Sequence, residues 1–154
     1  MVARAKGDAL LCEKILLMSG SGSRDECYNY VAGAIQDKAV CDKVSVQSGF
    51  PSKDSCLVLV SQKTGDLSIC DDVNVDSGFN SRDVCLIFVA VVTKNPSICE
   101  NIKIKSGYNS QDACYALVAG ETGDSSLCEK IVVTQGDNSK DVCYTIVAST
   151  KNIT

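Results

Sequence analysis

Ten cysteines and no histidine set the chemistry open to this chain. The thiols are Cys12, Cys27, Cys41, Cys56, Cys70, Cys85, Cys99, Cys114, Cys128 and Cys143, at alternating intervals of 15 and 14 residues. Cysteines either pair oxidatively or hold a metal as thiolates, and structural zinc sites group their ligands as C-x2-4-C pairs with four converging donors. Alternating C-x14-C and C-x13-C spacing without histidine points to disulfides, so neither metal nor cofactor is expected. No Cys/His or Ser/His nucleophile arrangement can exist. An acid and base pair of carboxylates is the catalytic chemistry left, but nothing selects two of the nineteen acidic residues, and we expect no enzyme.

The elements that carry these cysteines repeat with them. Two cysteines per 29 residues, five times over, is the self-similarity of a solenoid, whose units stack to share one core. Gly20, Gly49, Gly78, Gly107 and Gly136 are each followed three residues later by Ser23, Ser52, Ser81, Ser110 or Ser139. Glycine supplies a left-handed residue to end one helix, and serine a hydroxyl to cap the next. Ser23 and Glu26 add a capping-box pattern. The second helix then places Cys27/Tyr30/Val31, Cys56/Leu59/Val60, Cys85/Phe88/Val89, Cys114/Leu117/Val118 and Cys143/Ile146/Val147 at i, i+3, i+4 as one buried stripe.

Asp8, Asp66, Asn95 and Asp124 mark starts of a shorter first helix, which ends near Ile15, Val44, Val73, Ile102 and Ile131. Alternation follows, as in Val44-Ser45-Val46, consistent with a short extended segment stacked from repeat to repeat or with a frayed helix end; we favour helix or irregular structure because three residues make a poor strand. The expected fold is all-α: a right-handed αα solenoid of five 29-residue helical hairpins, each bridged by one disulfide. It forms a single repeat domain over 1–154, with units at about 8–36, 37–65, 66–94, 95–123 and 124–152.

Hairpin geometry selects the pairing. About a turn near residues 20–21, Cys12 and Cys27 are out of register by about two residues, or ~3 Å. About a turn near residue 37, Cys27 and Cys41 are out by about six residues, or ~9 Å, beyond the ~4.4–6.8 Å Cα separation of a disulfide. Pairing within units also strands no cysteine. We therefore expect Cys12–Cys27, Cys41–Cys56, Cys70–Cys85, Cys99–Cys114 and Cys128–Cys143.

Composition bounds the partners. A net charge of −4 with dispersed basic residues argues against nucleic acid. No stretch approaches the ~18 apolar residues that span a bilayer, and Met1 to Leu11 lacks the pattern of a signal peptide. Dense disulfides indicate an extracellular or cell-surface location or, alternatively, the cytoplasm of a hyperthermophile, with thermostability expected in either case. The sequon Asn152-Ile153-Thr154 is slight support for secretion.

Four further features are candidate sites. Asp25, Asp54, Asp83, Asp112 and Asp141 fall in the first turn of the second helix, where a carboxylate meets the positive end of the macrodipole; a calcium ladder is the alternative. Glu13, Asp42, Asp71, Glu100 and Glu129 read as a solvated face. Phe50, Phe79 and Tyr108 occupy the loop of the internal units, with Ser21 and Asp137 in the outer ones. Packing on the neighbouring repeat is the simpler account of these rings, yet they are the best candidate site for a peptide, glycan or apolar ligand. Finally, Leu16 and Met18 stand where later units have polar residues, and Val132 is a milder case. A solenoid should end on polar faces, so these apolar ends are expected to contact another copy, as in a homo-oligomer, or an adjoining part of a longer protein.

The unit Leu127-Cys128-Glu129-Lys130-Ile131 followed by Ser139-Lys140-Asp141-Val142-Cys143-Tyr144-Thr145-Ile146-Val147-Ala148 resembles disulfide-stitched helical repeats of proteins from hyperthermophilic archaea. It is more loosely similar to cysteine-rich Sel1-like repeat proteins, from which the shorter repeat and wider cysteine spacing depart. The first resemblance implies architecture more than activity; the second implies a bridged αα solenoid that binds other molecules. The functional expectation is a non-enzymatic, disulfide-stabilised scaffold for protein or peptide binding or for assembly. The alternative is a structural spacer of a larger cell-surface protein with no ligand of its own.

Overall fold

Each 29-residue period folds as a short 3-10 helix, an extended passage, a glycine turn and an α-helix. The computed structural model describes residues 7–47 and 49–150; the sequon and the first six residues lie outside the described residues. The 3-10 helices are η1 (Ala9–Lys14), η2 (Lys38–Lys43), η3 (Leu67–Asp72), η4 (Pro96–Asn101) and η5 (Ser125–Lys130). The α-helices are α1 (Arg24–Ile35), α2 (Lys53–Thr64), α3 (Arg82–Thr93), α4 (Gln111–Thr122) and α5 (Lys140–Thr150). Among the described residues no strand forms, and no helix is long and apolar enough to cross a membrane.

The η helices start where Asp8, Asp37, Asp66, Asn95 and Asp124 accept the N–H two residues on, at 2.9–3.1 Å. Asp37 is a cap that the sequence reading passes over. Each η helix stops after six residues at a β-branched residue with ψ of 121–129°, whose N–H donates to the cysteine carbonyl three residues back. The first helix of each unit is thus a single 3-10 segment, and the following glycine does not end it. That glycine sits five residues beyond, in a turn that needs φ of 91–108°. At Gly20 an added Cβ would meet nothing within 4 Å, so backbone conformation alone requires the glycine there.

After the turn the chain folds back on its extended passage. Arg24, Lys53 and Gln111 N–H each donate to the carbonyl of Leu17, Val46 and Ile104 respectively, at 2.7 Å. These bonds and the serine caps satisfy helix N-terminal donors that have no intrahelical partner. Ser23, Ser52, Ser81, Ser110 and Ser139 all accept from the N–H three residues on. The reciprocal capping box forms at Ser52 and Ser55. In the first unit Glu26 reaches the N–H of Gly22 instead of closing a box on Ser23.

Every cysteine is bridged. Cys12–Cys27, Cys41–Cys56, Cys70–Cys85, Cys99–Cys114 and Cys128–Cys143 tie each η helix to the α-helix of its own unit, with Cα separations of 5.5–5.7 Å.

The chain divides into two compact bodies, Met1–Cys85 and Leu86–Thr154, with the boundary inside α3. In the first body α1 packs on α2, and each packs on its own η helix and on that of the next unit. In the second, α4 packs on α5, η4 and η5. Val31, Val60, Val89, Val118 and Val147 are buried as the stripe predicts, but two-sided burial changes the rest of it. The i+3 residues Tyr30 and Leu117 are exposed, whereas Tyr28, Leu57 and Tyr115, one after each cysteine, are buried. So are Ala32, Ser61 and Ala119, five after it. The face beyond the disulfide is directed at the following unit.

At Gly120 an added Cβ would lie 2.7 Å from Ile146 Cγ2 of α5, whereas at Gly33 it would lie 3.8 Å from Leu59 Cβ of α2. Gly33→Ala should therefore stabilise by about 0.5–1 kcal/mol through helix propensity. Gly120→Ala should destabilise by about 1 kcal/mol, overpacking of ~1–3 kcal/mol outweighing the same gain. Thermal melts of both variants under oxidising conditions check the opposite signs.

Candidate functional site

The aspartate row does more than meet helix dipoles. Asp25 is fully buried, and its carboxylate reaches into the next unit: it accepts from Ser45 N–H at 3.0 Å, Ser45 Oγ–H at 2.6 Å and Val46 N–H at 3.3 Å. Asp54 accepts Asn74 N–H at 3.0 Å. Asp112 accepts Val132 N–H at 3.1 Å and Val133 N–H at 3.3 Å. Asp83 is equally buried. The extended passage has no strand partner, and within each body these side chains supply the acceptors its amides need. This leaves little for a calcium ladder, and among the described residues no group of three or more acidic or cysteine side chains is placed to hold a metal ion.

The second acidic row is exposed but ion-paired. Lys53 meets Asp42 at 2.7 Å, Arg82 meets Asp71 at 2.8 Å and Lys140 meets Glu129 at 2.9 Å. Between units, Lys43 meets Glu13 and Lys130 meets Glu100, both at 3.1 Å. Two of these junctions include a tyrosine: Lys43 Nζ lies 5.6 Å from the ring centroid of Tyr28, and Lys130 Nζ 5.3 Å from that of Tyr115. The Tyr28 hydroxyl also donates to Glu13 at 2.7 Å.

That bond, with help from Lys43, holds the Glu13 carboxyl below its usual range. Burial, then the bond to Glu13, pushes the Tyr28 phenol up to about 12. An unfolded tyrosine ionises near pH ~10, so this contribution to stability is complete below pH ~10 and is lost as pH rises through the folded value. Tyr115 and Tyr144 are also raised, by burial and by the bond to Glu129 respectively, so absorbance titration of the phenols should show a late phase that Tyr28→Phe lowers by one group. A Tyr28→Phe profile that differs only in total amplitude near pH ~10 would count against the assignment.

The loop aromatics do not pack away. Phe50 and Phe79 in the first body are 57% and 87% exposed, and Tyr108 in the second is 78% exposed. The loops of Phe50 and Tyr108 are held from the next unit: Asn80 Nδ2 donates to Gly49 O at 2.7 Å, Asn138 Nδ2 to Gly107 O at 2.9 Å, and the Tyr108 hydroxyl to Asp137 at 3.1 Å. The rings of Phe50 and Tyr108 therefore project from a tethered backbone. Concave sites are modest. A pocket of ≈ 330 Å³ in the first body is lined by Lys38, Asp42, Lys53 and Asp72, whose charges already pair with one another. A groove of ≈ 210 Å³ between α1 and α2 is bordered by Asn29, whose buried Nδ2 donates to Ser55 Oγ while its Oδ1 has no protein partner.

Leu16 is 91% exposed and Met18 46%, with Leu17 at 56% between them, and Val132 is exposed as well. The structure thus leaves the apolar first unit uncovered on this side. No family model, curated protein or solved structure matches the chain. Function must therefore be argued from its own surfaces.

Proposed function

We propose that this chain is a non-catalytic, disulfide-stitched repeat scaffold for binding a protein or peptide partner or for assembly. Its five units, on this reading, continue one another as a right-handed αα solenoid in an oxidising extracellular or cell-surface setting, or in the cytoplasm of a hyperthermophile. The observation that carries the proposal is the exposure of Phe50, Phe79 and Tyr108, with the loop backbones of Phe50 and Tyr108 tethered by the following units. The fold spends large aromatic side chains where they contribute little to its own core, and such residues serve as anchors of interfaces. The absence of histidine in the sequence and the engagement of Asp25, Asp54 and Asp112 as structural acceptors support a role without catalysis.

The test is capture of partners from the native source by the oxidised wild type beside the triple variant Phe50→Ala/Phe79→Ala/Tyr108→Ala. Exposed rings should be removable with little change in melting temperature. Loss of a specifically captured partner with the fold intact supports the proposal. Equal recovery by both proteins removes the aromatic loops as the binding site.

A further inference from the structure

One junction in each body, between the first and second units and between the fourth and fifth, carries the same set of contacts. An aspartate of one α-helix accepts two amides from the next unit's extended passage, as Asp25 does from Ser45 and Val46, and Asp112 from Val132 and Val133. A glutamate beside a tyrosine receives a lysine from that next unit, as in Glu13, Tyr28 and Lys43, and again in Glu100, Tyr115 and Lys130. At the same repeat positions, the first and fifth units hold the two separate halves of this contact.

On the fifth unit, Asp141 occupies the position of Asp25 and Asp112, but it is exposed where they are buried. Tyr144 occupies the position of Tyr28, 38% exposed against 2%, and its hydroxyl already donates to Glu129, the counterpart of Glu13. Thr145 and Ala148 complete an uncovered face at positions that α1, α2 and α4 bury. On the first unit, Leu16 and Leu17 occupy the positions of Ser45 and Val46, with Leu16 91% exposed. Lys14 occupies the position of Lys43 and Lys130. Leu11 and Ile15 are only partly covered, although their counterparts Val40 and Val44 are buried.

We propose that a second copy of this chain docks head to tail, its first unit seated on α5 as the next repeat would be. The Leu16 and Leu17 N–H groups then donate to the Asp141 carboxylate, while Lys14 joins Glu129 and lies over the Tyr144 ring. The apolar edge of η1 and its extended passage covers the uncovered face of α5. The match is one of charge, hydrogen bonding and register with the junctions already present inside each body, which is why a second copy fits where an unrelated protein need not. Such a heterologous contact uses different surfaces on the two partners, so one pair of complementary ends stays available for further copies. This inference rests on the scaffold reading and names one of its partners.

Sedimentation equilibrium of the oxidised protein tests it. The wild type should rise with concentration from the 16.3 kDa chain mass to at least twice that value. Asp141→Lys blocks one face and Leu16→Lys/Leu17→Lys the other; all three residues are exposed, so circular dichroism and the absence of free thiols should be unchanged. Each variant alone should stay at the single-chain mass, and an equimolar mixture should form a two-chain species and nothing larger. A wild type fixed at one chain mass, or self-association that survives Asp141→Lys, overturns the proposal. A single-chain wild type that still loses a captured partner on removal of the three aromatics overturns this inference alone and leaves the scaffold reading in place.

Discussion

Asp25→Ala lowers stability by about 3–5 kcal/mol, while the same change at Asp141 costs less than about 0.5 kcal/mol. Asp25 is completely buried and accepts three hydrogen bonds from the following unit, two of them from backbone amides of a passage with no strand partner. Bonds to a charged acceptor contribute about 1.5–3 kcal/mol each, and their loss leaves the partly covered Ser45 and Val46 amides without an acceptor. Asp25→Asn should fall between, because one oxygen remains and an N–H2 is pointed at donors. If the row served only the helix dipole, every member would cost about 0.3–1 kcal/mol regardless of position. Denaturant unfolding of Asp25→Ala, Asp112→Ala and Asp141→Ala distinguishes the two accounts. Equal small losses at all three sites would remove the inter-unit clamp.

Full reduction should abolish the fold. Each bridge joins cysteines 15 residues apart, nominally worth about 3 kcal/mol in the chain-entropy model. Five such contributions, even halved, equal the whole stability of an ordinary domain, about 5–15 kcal/mol. The η helices make the dependence sharper, since six residues of 3-10 helix do not persist alone and each of these is pinned to its α-helix by sulfur. Protein reduced in denaturant, alkylated and returned to buffer should show little helical circular dichroism and no cooperative melt. Removing one bridge, as in Cys99→Ala/Cys114→Ala, should cost about 2–4 kcal/mol and leave the remaining units folded. An alkylated chain with native ellipticity and a native melt would show that the core suffices without bridges.

Local signals carried much of the architecture. Period, cysteine spacing, serine caps and Asx starts are written in neighbouring residues, and each follows from bonds spanning two or three positions, as at Ser23 and Glu26 N–H or Asp66 and Ser68 N–H. The stripe holds at Val31, Val60, Val89, Val118 and Val147, which are buried, and fails at i+3 for a tertiary reason: the helix is covered on the disulfide side and again by the following unit, which draws Tyr28, Leu57 and Tyr115 inward and leaves Tyr30 and Leu117 outside. The aromatic loops were legible as a row but not as exposed, because whether a ring packs on its neighbour depends on how the following unit holds its loop. Asn80 and Asn138 do that holding across 31 residues.

The sequence by itself determined the repeat, the helical character of its parts and which residues cap them, because these depend on short-range hydrogen bonding and on spacing along the chain. Only the tertiary structure decided what the aspartates are for. A carboxylate two residues past a serine cap looks the same in all five units, and its role depends on whether another unit's amides lie opposite it. Asp25 meets Ser45 and Val46, whereas Asp141 meets solvent, and that difference arises from stacking across 20 residues of chain that no local pattern encodes.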